Sequence, residues 1–146
     1  MTKDNVFQKN KVGYDAITVS RPAYTRFTSS FHIAFYGLPK LLVPEKGAQL
    51  FELRTYEGYS EDAVQRKTNM FNDGELTIFK DTGLHSIFFG SQVSGPLMPA
   101  LTYMLAFKNM EERDRNWNKF SVHPEYAYTV SDIKRVFLKS LHYSQL

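Results

Sequence analysis

Glu75 is the first side chain in this sequence whose position invites a chemical reading. It stands in FNDGEL (71–76), inside a stretch that reads as one amphipathic helix. At 100° per residue, Val64, Phe71, Glu75 and Ile78 lie within about 60° of one another, near the centre of the apolar stripe. Asp62, Arg66, Asn69, Asp73 and Lys80 fall on the opposite side. A carboxylate among apolar neighbours must be paired, hydrogen-bonded or protonated, because desolvating it alone is costly. Burial raises its pKa and a nearby Arg lowers it. Two readings follow. On a continuous helix Glu75 points inward, as a tuned base or a ligand anchor. If Asn72-Asp73-Gly74 acts as a turn, a kink at Gly74 swings Glu75 to solvent or onto a structural hydrogen bond.

A second constellation comes from strand alternation. FELRTY (51–56) places Phe51, Leu53 and Thr55 on one face and Glu52, Arg54 and Tyr56 on the other. Arg135, Phe137 and Lys139 share a face of a later strand, as do His85, Ile87 and Phe89. If these faces converge on an open sheet surface, Arg54, Tyr56, Arg135 and Phe89 become ligand-binding candidates. An aromatic cavity with cations suits a small anionic or apolar ligand. The same alternation is equally what a polar dimer interface shows, with Glu52 paired to a cation.

The histidines are His32, His85, His123 and His142, and none forms an HxH or HExxH spacing, so no metal site is expected. His85 opens a strand beside Gly83 and is either a proton donor or an edge histidine. GSQVSG (90–95) lacks the GK[ST] end of a phosphate loop, and no Gly-x-Ser-x-Gly elbow occurs. No cofactor motif is present. EERDR (111–115) reads as a solvated helix face, and Trp117 as the residue packing that helix on a sheet.

These residues need elements to hold them. A short helix ends near residue 11, and YTRFTSSFHIAFY (24–36) has strand composition. GLPKLLVPEKGAQ (37–49) carries two Pro and two Gly and reads as a connector. FELRTY is a strand. Ser60 caps a helix with Glu61 and Asp62 in its first turn, running to about Asp81 and ended by Gly83. HSIFFGS (85–91) and LTYMLAF (101–107) are strands around the turn GPLMP. Asn109 caps a second helix that stops before Pro124, and residues 131–143 make a last strand. From residue 51 the order is βαββαβ, that of an α+β, ferredoxin-like sandwich with helices on one face.

The chain has 146 residues, with 42% hydrophobic and 23% charged, which suits one folded domain. Net charge is +3 without a basic block, which argues against nucleic acid as a partner. The absence of cysteine removes disulfides and thiolate chemistry. The opening MTKDNVFQKNKVG has no apolar h-region, so no signal peptide is expected, and no apolar run reaches the length of a membrane span. The compartment stays open. TVSRPAYTRFTSSFH (18–32) matches TVSDIKRVFLKSLH (129–142) loosely, which suggests that residues 1–44 are the last helix, strand and linker of a preceding repeat, with 45–146 one complete domain.

The segment FELRTYEGYSEDAVQRKTNMFNDGELTIFKDTGLHSIFFG, then GPLMPALTYMLAF, then WNKFSVHPEY, resembles the NIPSNAP family. The resemblance spans about residues 51–126. It implies a dimeric α+β barrel, in which two ferredoxin-like units close their open sheet faces on each other. It also implies that residues 14–44 look like the end of a first domain in a tandem protein. The family's activity is poorly defined, so the resemblance supplies a fold rather than a substrate. The expectation is a self-associating homodimer or higher oligomer, binding a small molecule in a barrel cavity. The alternative is a small dimeric barrel enzyme of monooxygenase, isomerase or haem-degrading type. There Glu75 or His85 would be the acid/base and Arg54 or Arg135 the oxyanion partner.

Overall fold

A computed structural model describes residues 4–125 and 137–145. Its centre is an antiparallel sheet of five strands in the order β1-β3-β4-β2-β5 among the described residues. The strands are β1 (Phe31–Ala34), β2 (Leu50–Gly58), β3 (His85–Ser94), β4 (Ala100–Phe107) and β5 (Phe137–Gln145). Between β2 and β3 run α2 (Glu61–Met70), a π-turn (Phe71–Glu75) and α3 (Leu76–Thr82), and α4 (Met110–Ser121) follows β4. Without β1 this is the βαββαβ order and strand arrangement of a ferredoxin-like sandwich, as expected.

Local signals set the helix ends. Ser60 Oγ accepts from the Ala63 amide at 3.2 Å, and Gly83 takes φ 78°, the left-handed conformation that stops α3. Asn109 Oδ1 accepts from the Glu112 amide at 2.9 Å and starts α4. Asn116 then donates to the Gly83 carbonyl at 2.8 Å, tying α4 to the end of α3. The core lies between these helices and one sheet face. Phe71 sits at its middle with no exposed surface, in ring contact with Phe35, Phe79, Phe89 and Tyr103. Phe89 and Tyr103 stack face to face, with centroids 4.6 Å apart.

The segment before β2 departs from the expected strand over 24–36. Only Phe31–Ala34 pair, against Ser94–Gly90 of β3, because no other described strand lies alongside to extend the ladder. The preceding helix, α1 (Asn5–Asp15), runs four residues past the expected end and has no buried residue. The connector, which in the structure spans 35–49 between β1 and β2, does more than link. Phe35 is 2% exposed and its amide donates to the Phe89 carbonyl at 3.1 Å. Phe35→Ala is therefore expected to cost about 3–5 kcal/mol in a urea melt, the usual penalty for emptying a buried Phe site. A loss under about 1 kcal/mol would separate the connector from the core.

Candidate functional site

The strand alternation put Glu52, Arg54 and Tyr56 on one face correctly, but that face is covered rather than open. Register pairs them with Leu105, Tyr103 and Leu101 of β4, all buried in the core. Phe51, Leu53, Thr55 and Glu57 face the other way, opposite Ala106, Met104, Thr102 and Ala100. The reason is α4. Its Arg113 and Trp117 reach down to Glu52, so the charged residues of β2 find partners beneath a helix.

Glu52 is fully buried and almost saturated with donors. Arg54 Nε donates to Oε1 at 2.6 Å, Arg113 Nε to Oε2 at 2.9 Å, Arg113 Nη2 to Oε1 at 3.2 Å and Trp117 Nε1 to Oε2 at 3.0 Å. The Arg54 guanidinium also lies over the Trp117 ring, 3.8 Å from its centroid. Burial alone would raise the Glu52 pKa. The Arg113 hydrogen bond, the Arg54 charge and the Trp117 N–H outweigh it and hold the carboxyl below its ordinary value. For Arg54, burial works against the charged form but Tyr103, Tyr56 and Glu52 outweigh it, so its pKa moves up. EERDR is accordingly not a wholly solvated run, since its Arg113 serves the interior.

Glu75 faces inward and is 4% exposed. The helix is neither straight nor broken at FNDGE; it widens into a π-turn. The inserted residue lets the turn serve two sides. Phe71 and Glu75 point into the core, while Asn72 Oδ1 accepts from the Gly37 amide at 2.9 Å and Asp73 Oδ1 from the Tyr36 hydroxyl at 2.8 Å. The partner of Glu75 is Lys67, whose Nζ lies 2.8 Å from Oε2. Eight residues of helix rise about 12 Å, a gap closed from both ends, by the long Lys stem lying along the axis and the Glu75 side chain reaching back toward it. Lys67 Nζ also sits 4.4 Å from the Phe71 ring centroid. Burial pushes the Glu75 pKa up, and Lys67 and then Arg54 offset this only in part. Tyr56 and Tyr103, with hydroxyls 3.2 Å apart, stand beside both buried clusters.

His85 and Phe89 do not share a face. The register shifts between Ser86 and Phe88, so His85 pairs with Ala106 and Phe89 with Tyr103, on opposite sides of the sheet. His85 is half-buried, and its Nδ1 lies 3.3 Å from Glu45 Oε1. Phe89 is 1% exposed inside the aromatic cluster. Arg135 lies outside the described residues. The structure thus joins Arg54 and Tyr56 in one buried network, sets Glu75 in its own ion pair nearby, and leaves His85 apart. Lys67 and Arg113 were missed in the sequence. Lys67 sits two helical turns before Glu75, and a search for a cation at that offset would have found it. Arg113 carries no local signal, being 61 positions from its partner. No group of three or more acidic or imidazole ligands gathers among the described residues.

The profile of the NIPSNAP family matches residues 51–144. Among solved structures, an uncharacterised NIPSNAP domain protein from Burkholderia xenovorans is similar at 16% identity and a TM-score of 0.58, covering 66% of this chain and 93% of its own. A NIPSNAP family protein of unknown function from Agrobacterium tumefaciens aligns at 13% identity and a TM-score of 0.59, covering 72% of this chain and 94% of its own. At such identities these two establish the fold alone. No functionally curated protein matches the chain. No described helix is long and apolar enough to cross a membrane. The strand order, the aromatic core and the match across 51–144 agree, and the chain belongs to the NIPSNAP family.

Proposed function

We propose that the chain works by self-association, two copies pairing through the open faces of their sheets and enclosing a space for a small anionic or apolar ligand. The observation that carries this reading is the character of the uncovered face. Phe51 and Leu53 of β2, Met104 of β4 and Phe88 of β3 are each half-buried, and register sets them side by side across the three central strands. The helices pack on the opposite face. A row of large apolar side chains on a sheet centre favours a partner over water.

The test is the mass of the particle in solution. Native mass spectrometry and light scattering are expected to give a dimer at micromolar concentration. Leu53→Lys puts a charge in the middle of the face and is expected to weaken the dimer about a hundredfold or more. Circular dichroism of the variant should stay that of a folded chain. A wild-type monomer at tens of micromolar, or a dimer indifferent to Leu53→Lys, overturns the reading.

A further inference from the structure

A cleft of about 640 Å³ opens at the edge of the sheet, where the connector passes the end of α3 and the first residues of β3. Its shape follows from how the connector is tied. The Phe35 amide bonds to the Phe89 carbonyl and the Leu42 amide to the Ile87 carbonyl at 2.9 Å. Between these two points the chain turns back, with the Leu38 amide donating to the Phe35 carbonyl at 3.0 Å. Gly37 presses on α3, since a Cβ there would stand 2.7 Å from Leu76 Cδ1. The chain therefore bows over the strand edge instead of lying flat on it. Leu38, Leu42, Leu76, Leu84 and Ile87 wall the space. Leu42 is 45% exposed and the adjoining Val43 is 90% exposed, so the connector side of this wall stays wet while Leu84 and Ile87 form its buried floor.

Three ionisable side chains reach the same cleft. Glu45 and His85 face each other at 3.3 Å. Lys80, on the exposed side of α3, enters no ion pair among the described residues. An apolar trough of ligand size, with a lysine at its rim that enters no ion pair among the described residues and with the Glu45 carboxylate turned to His85 instead, offers an amphipathic anion both a lining for its tail and a partner for its charge. We propose that this cleft binds a small monocarboxylate with an aliphatic tail, the tail along Leu38, Leu42, Leu76 and Ile87 and the carboxylate at Lys80. The site is built by one copy alone. It stands or falls separately from the pairing of sheets.

Calorimetric titration of the full chain, with decanoate and with decyltrimethylammonium as the cation of matching tail, tests it. Decanoate is expected to bind once per chain, and the cation roughly tenfold more weakly. Lys80→Glu is expected to weaken decanoate roughly tenfold and to strengthen the cation, because attraction becomes repulsion at the rim. Thr77→Trp fills the trough from an exposed helix position and is expected to remove both. Leu42→Trp, on the connector, does the same should Thr77→Trp fail to fold. Equal affinity for the two probes, no saturable binding, or binding indifferent to these substitutions overturns the proposal. Native mass spectra of the same samples report the dimer independently.

Discussion

Glu52→Leu is expected to destabilise the domain by about 3–5 kcal/mol, a large part of the roughly 5–15 kcal/mol that holds a typical domain folded. The substitution itself keeps the volume and adds an apolar side chain. Its cost lies in what stays behind. Arg54 and Arg113 converge on the Glu52 oxygens and are largely sheltered, with side chains 14% and 18% exposed. Without the carboxylate they face each other as like charges, and the Trp117 N–H loses its acceptor. Glu52→Gln is expected to cost nearly as much, because an amide presents an NH₂ to a site furnished only with donors. Urea denaturation at pH 7 measures both. The pH dependence has a definite sign. The folded pKa of Glu52 is lowered, so its contribution is present above the ordinary carboxylate pKa of about 4.3 and is lost as pH falls through the folded value. The wild type should therefore lose stability in acid more steeply than Glu52→Leu does. Loss of less than about 1 kcal/mol in Glu52→Leu would mean that the two guanidiniums do not depend on this carboxylate.

Glu52 also marks where the sequence stops being informative. Strand alternation assigns residues to two faces correctly, because side chains alternate with a period of two whatever surrounds them. It carries no information about which face a helix covers. The polar residues at 52, 54 and 56 read as an open face for a ligand or a second copy for that reason, whereas Glu52 finds Arg113 and Trp117 of α4, more than sixty positions away. The helix boundaries were legible because Ser60, Gly83 and Asn109 act within a turn of where they stand. The pairing of His85 with Phe89 failed for a local reason that leaves no residue signature: the irregularity between Ser86 and Phe88 shifts the phase of β3. The inward position of Glu75 was only one of two readings that the helical spacing of its apolar neighbours left open, since Asn72-Asp73-Gly74 read equally as a kink that turns it outward. The widening at FNDGE was not legible, because it answers contacts from Tyr36 and Gly37 on the connector.

Lys67→Met is expected to make stability strongly dependent on pH between about 4.5 and 8. Glu75 is 4% exposed, and Lys67 is its only hydrogen-bond donor among the described side chains. Its folded pKa is already raised by burial, even with Lys67 beside it. Removing the cation raises it further. A carboxyl whose folded pKa lies above its unfolded value contributes stability that is present below the unfolded value and lost as pH rises through the folded one. The variant should thus lie close to the wild type near pH 4.5, where Glu75 takes up a proton. At pH 8 it should have lost about 3–5 kcal/mol, the penalty of a buried unpaired charge. Glu75→Leu alone leaves Lys67 as the unpaired buried charge and is expected to lose stability at pH 8 as well. The double variant Lys67→Met with Glu75→Leu removes both charges from an aromatic setting that includes Phe71 and Tyr56, and is expected to recover most of either loss. Urea melts of the four chains at pH 4.5 and 8 complete the cycle. Additive losses in the double variant would show that the two charges act independently. Strong recovery would assign FNDGE a structural purpose: the π-turn lets one carboxylate neutralise a buried lysine while its neighbours hold the connector against the core.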